Sequence, residues 1–220
     1  MVGVGTLLKT RRPPAQLMGT GFVVADGKHI ITNSHVVPEE LNHDRNEQLA
    51  VFIGVGKEAI TRTVQLIKRD RTHDLALLKM DFRMPPMELG NVAEVREGNM
   101  IAFTGFPIGA VLGLYPVSHR GIISAISPVV IPVSSTQTLD AAMIKRLRNP
   151  YNVFQLDATA YPGNSGSALY EAETGKVVGV INKVFVKETK EKVLEAPSGI
   201  TYAIPVVHVK ELLKSAGVEF

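Results

Sequence analysis

The stretch Asp157-Ala-Thr-Ala-Tyr-Pro-Gly-Asn-Ser-Gly-Ser-Ala-Leu-Tyr170 decides how the rest of the chain is read. Pro162 and Gly163 interrupt an extended run, Asn164 and Gly166 bracket a serine, and Ala168-Leu169 resumes a strand, which places Ser165 on a tight turn. Such a turn projects the hydroxyl and can aim the backbone N–H groups of Gly163 and Ser165 at one point beside it. Two donors fixed in advance stabilise the negative oxygen of a tetrahedral acyl-transfer intermediate, and a Cβ at position 163 would restrict the backbone angles this requires. The same residues also fit a Gly-rich hairpin turn with a merely exposed serine. The stretch alone does not separate the two readings, because a serine needs a base before it can attack.

Around this turn the chain reads as all-β. Gly and Pro are scattered between short β-branched runs, and 220 residues suffice for one large domain or two small barrels sharing a core. With no cysteine there is neither a disulfide nor a thiol nucleophile or ligand. No apolar run approaches the length needed to cross a bilayer, so no transmembrane segment is expected. Met1 to Leu8 is too short and Gly-rich for a signal-peptide core, and Lys9, Arg11 and Arg12 lie on its wrong side. The chain is therefore expected to be cytoplasmic if Met1 is the native start, and periplasmic or secreted if a leader has been removed. The net charge of +3 raises nucleic acid as a partner. Its clusters, Lys9 to Arg12, Lys68 to Arg71 and Lys145 to Arg148, are short, far apart and free of interleaved aromatics, so no nucleic-acid binding is expected.

In chain order, residues 1–18 show little periodicity and end in Arg12-Pro13-Pro14, an N-terminal arm. Gly21 to Ala25 and His29 to Thr32 form a hairpin with Asp26-Gly27 at its tip. His35 then falls just beyond a strand end. Strands are expected at Leu49 to Ile53, Ile60 to Lys68, Leu75 to Lys79 and Asn99 to Gly105, the last completing a first barrel over residues 19–106. In residues 107–220, Leu114 to Ile126 is extended with a bulge or bend at Gly121, Leu139 to Leu147 reads as a helix, and Val153 to Leu156 leads into the serine turn. Val177 to Val186 and Ile200 to Ile204 follow as strands, and Pro205 opens a final helix, Val206 to Ser215, ended by Gly217.

Acyl transfer by serine needs a base for its proton and a carboxylate to orient the imidazolium. His35 after one strand, Asp74 just before another and Ser165 on a turn stand at comparable positions, in a chain order in which this triad recurs. Gly163-Asn-Ser-Gly-Ser167 fails the Gly-x-Ser-x-Gly elbow. His208 is held off by the final helix, His73 neighbours or tunes Asp74, and His29, His43 and His119 read as ordinary surface residues. No metal-ligand spacing occurs, and neither metal nor cofactor is expected.

Thr32-Asn-Ser-His-Val-Val37, Asp74-Leu-Ala-Leu-Leu-Lys79 and Pro162-Gly-Asn-Ser-Gly-Ser167 together resemble the chymotrypsin-fold serine proteases, and within them the HtrA/Deg branch. Gly19 to Val23, Gly121 to Ala125 and Gly199 to Pro205 fit the same branch. The resemblance implies two six-stranded antiparallel β-barrels with a C-terminal helix and a cleft between them. It implies His35 as base then acid, Asp74 as its orienting partner, Ser165 as nucleophile, and an oxyanion turn of Gly163, Asn164 and Ser165 in which Asn164 supplies scaffold contacts. It further implies polypeptide substrates and a pocket for small or medium apolar side chains lined by Ala158, Thr159, Ala160, Tyr161, Pro162, Val180, Ile181 and Asn182. Ser167 departs from the glycine common in this branch and resembles the glutamyl endopeptidases. That leaves a secreted glutamyl-type protease as an alternative, beside a catalytically silent peptide-binding module. The arm lacks the aromatic residues that lock HtrA trimers, so homo-oligomerisation is open and the trimer in doubt. No PDZ domain is expected in this chain, and Ser127 to Pro150 is either a gate over the cleft or a surface insertion.

Overall fold

Thirteen strands run through the described residues of a computed structural model, 1–107, 114–129, 150–182 and 200–220. In the first half these are β1 (Val2–Leu7), β2 (Ala15–Val24), β3 (His29–Asn33), β4 (Gln48–Ile53), β5 (Ile60–Thr63), β6 (Gln65–Asp70) and β7 (Leu75–Lys79). They form one antiparallel seven-stranded sheet in the order β5-β4-β1-β2-β3-β7-β6. The second half contributes β8 (Met100–Gly105), β9 (Val117–Pro128), β10 (Asn152–Asp157), β11 (Ala168–Glu171), β12 (Val177–Asn182) and β13 (Ile200–Pro205). These close into a barrel in the order β10-β13-β12-β11-β8-β9, which leaves no free edge. The result is the expected pair of chymotrypsin-like barrels, the first present as a curved sheet of seven strands.

The last element, α1 (Val206–Ser215), starts after Pro205 and ends before Gly217, whose φ of +70° suits a glycine beyond a helix end. Its apolar stripe of Val206, Val209, Leu212 and Leu213 joins Phe22, Ile31, Leu75 and Leu77 of the sheet and Val177, Val180 and Ile204 of the barrel in one buried cluster. Burying such a side chain fully is worth about 1.5–3 kcal/mol. This shared core fixes the two halves against each other.

Four expectations change. Residues 2–7, read as part of an arm, form β1 in the interior of the sheet, paired with both β2 and β4. Asn99 to Gly105 does not complete the first barrel: β8 pairs with β9 and β11, so the division between halves precedes it rather than following residue 106. The run Ile60 to Lys68 is broken at Val64, whose N–H turns to Leu49 O, giving two strands. Gly121 is not a bulge. The β9–β10 register shifts between Gln155 and Leu156, and Gly121 is small because a Cβ there would lie 2.1 Å from Asp157 O. The expected helix at Leu139 to Leu147, residues 130–149 of the expected gate, and Lys183 to Val186 of the long strand lie outside the described residues.

Candidate active site

β3 ends at Asn33, and the following 3-10 turn, Ser34–Val36, turns the His35 side chain out to a partly exposed position. Asp74 precedes β7 with a φ of +53°, a left-handed conformation tolerated best by Asp and Asn outside glycine. That kink aims its buried carboxylate back at the histidine. Asp74 Oδ1 accepts from the His35 N–H at 2.9 Å, and Oδ2 lies 2.7 Å from His35 Nδ1. The main chains are joined as well, because Asp74 O accepts from Ser34 N–H and from Asn33 Nδ2, each at 3.0 Å. One carboxylate thus fixes the histidine's backbone and its ring.

Ser165 lies in the turn between β10 and β11 and is 7% exposed. Gly163 takes a φ of +102° and Gly166 one of +86°. At both positions a Cβ would strike backbone, Phe106 O at 2.3 Å for Gly163 and Thr20 O at 2.1 Å for Gly166. The space filled by that absent Cβ of Gly166 is 2.4 Å from Thr32 Oγ1 and 3.2 Å from Asn33 N. The serine turn is therefore packed onto the strand end that carries His35. Among the described residues no hydrogen bond joins the His35 ring to the Ser165 hydroxyl. Nor do the N–H groups of Gly163 and Ser165 donate to any acceptor there, so both expected donors are unspent. Asn164, expected to supply scaffold contacts to the turn, commits its N–H to Tyr161 O at 3.0 Å.

The expected pocket residues divide. Thr159, Tyr161 and Pro162 are half-buried, while Ala158 and Ala160 are buried beside them. Thr201 of β13 fixes this wall, donating through Oγ1 to Ala158 O and accepting from Ala160 N–H. Val180 and Ile181 are wholly buried in two separate core clusters, so their side chains do not line an opening. Asn182 is turned elsewhere: its Nδ2 donates to Asp74 Oδ2 at 2.9 Å. A cleft of about 870 Å³ beside the segment after His35, lined among others by Val37, Leu41, Leu49 and Met80, includes neither Asp74 nor Ser165.

Three contributors were not read from the sequence. Thr20 on β2 donates through Oγ1 to Gly163 O at 2.7 Å, and its N–H donates to Ser165 O at 2.9 Å. Arg69 of β6 donates to Ser34 O at 2.7 Å and to Val37 O and Pro38 O at 3.0 Å, pinning both flanks of His35. His119 lies beside Asn164 rather than on the open surface. His29 is likewise 7% exposed and paired with Asp26. His208 stays with α1 as expected, stacked on His73 at 3.8 Å. Among the described residues no cluster of His, Asp and Glu could hold a metal ion.

The sequence pattern of the trypsin-like peptidase domain matches residues 19–180. A probable periplasmic serine endoprotease, DegP-like, of Halomonas elongata is 29% identical over 86% of this chain and 33% of its own length. A serine protease, HtrA-like, of Staphylococcus epidermidis is 28% identical over 90% of this chain and 30% of its own. The chain thus spans about a third of the curated relatives it matches. The solved HtrA-type protease AlgW with tripeptide superposes with a TM-score of 0.68 at 26% identity, over 97% of this chain and 59% of that one. The serine endoprotease from Yersinia pestis gives 0.66 at 25% identity, over 98% and 61%. The chain belongs to the trypsin-like peptidase domain family and is a chymotrypsin-fold protease domain of the HtrA type.

Proposed function

We propose that the chain is the catalytic domain of a serine endopeptidase in which Ser165 attacks the scissile carbonyl, His35 takes its proton and Asp74 holds the ring. The observation that carries this is the Asp74 carboxylate bound to both the N–H and the ring Nδ1 of His35. With a proton on Nδ1, Nε2 is left as the acceptor a hydroxyl requires. As the Ser165 Oγ–carbon bond forms, the hydroxyl proton passes to Nε2 and the carbonyl oxygen becomes negative. The free N–H groups of Gly163 and Ser165 receive that charge. Collapse breaks the carbon–nitrogen bond while His35 returns the proton to the departing amine, and water then releases the acyl group by the same steps. The Oγ–Nε2 contact forms in the substrate complex, as catalytic hydrogen bonds often do.

The substrates are unfolded or extended polypeptides cut after small or medium apolar side chains, a preference supported by the small Ala158 and Ala160 of the pocket wall. Periplasmic or extracellular protein quality control is the setting supported by the DegP-like relatives. A fluorophosphonate probe should label Ser165 stoichiometrically, with the adduct located by peptide mass spectrometry. Ser165→Ala should remove nearly all turnover, as loss of a triad nucleophile costs about a millionfold. Peptide cleavage that persists in the Ala variant at the original rate refutes the reading.

A further inference from the structure

Asn164 is fully buried in the serine turn. Its main chain is spent within the turn, the N–H on Tyr161 O and the C=O on Ser167 N–H, each at 3.0 Å. The side chain alone reaches the barrel wall, where Nδ2 lies 3.3 Å from His119 Nε2 on β9. Its other atom, Oδ1, is buried without a partner, and so is Ser167 Oγ. Both face the hollow left by Gly105, lying 2.6 and 2.4 Å from where a Cβ of that residue would stand. No second bond among the described residues anchors the Asn164 amide.

The histidine is held in place to receive that amide. Its ring stacks on Phe103 of β8 at 4.8 Å and 22°, with Tyr161 at 5.9 Å on the turn side. An imidazole nitrogen accepts an N–H only in the neutral ring. Burial pushes the His119 pKa below its ordinary value. The described groups that face it, Phe103, Tyr161 and Asn164, carry no charge at neutral pH. Arg120 follows it on β9 and is exposed on the other side of the strand.

We propose that His119 is a positioning residue for the oxyanion turn: by accepting the Asn164 side-chain N–H it holds the turn in the form that leaves the N–H groups of Gly163 and Ser165 free. The inference rests on the reading of Ser165 as nucleophile. It assigns to a strand outside the triad the task of keeping two donors preorganised, where reorganisation at the moment of reaction would cost rate.

The test compares His119→Phe, which keeps a ring to stack on Phe103 but accepts nothing, with His119→Gln, whose Oε1 restores an acceptor. The second-order rate of fluorophosphonate labelling at Ser165, kcat and KM on a chromogenic ester, and the melting temperature are measured on the whole chain. The Phe variant should label about tenfold to 10²-fold more slowly, reaching the low end of what loss of one oxyanion donor costs. Its kcat should fall with KM unchanged, and the Gln variant should recover most of both rates. If the Phe variant does not fold, His119→Leu repeats the deletion with a smaller side chain. Wild-type labelling rates in the Phe or Leu variant overturn the role of His119. So does an equal loss in the Gln variant that follows its melting temperature. Failure of the wild-type chain itself to label at Ser165 instead rejects the nucleophile assignment, which separates the two outcomes.

Discussion

Replacing Asp74 by Asn tests the histidine clamp while leaving its backbone in place, since Asn adopts a φ near +53° as readily as Asp. The native carboxylate accepts three hydrogen bonds: Oδ1 from the His35 N–H at 2.9 Å, and Oδ2 from the ring Nδ1 at 2.7 Å and from Asn182 Nδ2 at 2.9 Å. A carboxamide has one acceptor oxygen, so either orientation sets its NH₂ against a donor. With the oxygen on the His35 N–H, the NH₂ faces both the ring and the Asn182 amide. The ring can then relieve the conflict only by moving its proton to Nε2, which is the atom that accepts from Ser165 in the proposed mechanism. Two hydrogen bonds to a charged acceptor are lost, at about 1.5–3 kcal/mol each, or about 3–6 kcal/mol together. At about 1.4 kcal/mol per decade, this is a fall in kcat of about 10²- to 10⁴-fold. The assay is turnover of a chromogenic ester at saturating substrate, at a pH where the wild-type rate has reached its plateau. KM should stay within a few-fold, because no substrate contact is removed. A folded Asp74→Asn variant that retains kcat within tenfold of wild type refutes the argument that this carboxylate sets the tautomer.

Gly163→Ala places a Cβ 2.3 Å from Phe106 O at a φ of +102°. Strain of about 1–3 kcal/mol should move the turn and lower kcat by 10²-fold or so; unchanged ester turnover would show that its backbone is not critical. Arg69→Met should orphan the carbonyls of Val37 and Pro38, while Ser34 O keeps the N–H of Val37. At about 1–3 kcal/mol for an unsatisfied buried group, a calorimetric melting temperature lower by roughly 5–15 °C is expected, and no shift would mean that solvent replaces the guanidinium. Burial lowers the pKa of His119, and burial together with the nearby His73 lowers that of His208 against the opposing pull of Glu211. The unfolded chain therefore takes up protons that the folded one refuses. The stability these two groups supply is intact above the ordinary histidine value of about 6.5 and is lost as pH falls through it toward the folded values. Urea midpoints measured from pH 8 down to pH 5.5 should decline across that window, and His208→Gln should flatten the decline; an identical slope in that variant counts against the assignment.

The parts of the site legible in the sequence are those whose local chemistry is restrictive. Gly163 and Gly166 hold left-handed angles that the turn demands, Asp74 occupies one of the few non-glycine positions with positive φ, and Pro205 and Gly217 bracket a ten-residue helix. Each leaves a mark within a few residues of itself. Strand membership leaves none. Val2-Gly-Val-Gly reads as loop because Gly3 and Gly5 weaken a strand pattern, yet both are small so that β2 can approach. A Cβ on Gly5 would lie 1.9 Å from Gln16 O, beside the register shift at Val4 and Gly5. Likewise β8 has the alternation of an edge or a centre strand in either half, and only its pairing with β9 and β11 assigns it. His119 was read as a surface residue because its partners, Phe103 and Asn164, lie 16 and 45 positions away.

The same distinction explains why an unspent donor in the serine turn belongs to residue 165. A trans peptide unit points its C=O and its N–H in opposite directions, so fixing one fixes the other. The Gly163 carbonyl is drawn to Thr20 Oγ1, and its unit's N–H, that of Asn164, accordingly meets Tyr161 O on the far side. The Ser165 carbonyl is drawn to the Thr20 N–H, and its unit's N–H, that of Gly166, meets Ile181 O. Both units are saturated. The intervening unit has its Asn164 carbonyl taken by Ser167 N–H, which turns the Ser165 N–H the other way. One threonine on the first sheet, held by Thr32 Oγ1 on its own carbonyl and by Phe106 N–H on its hydroxyl, thereby orients a turn in the second barrel. An anion site at this turn would consequently be a property of how the two halves pack, and any change that slides β2 along the barrel should reach the Ser165 N–H before it reaches the serine hydroxyl.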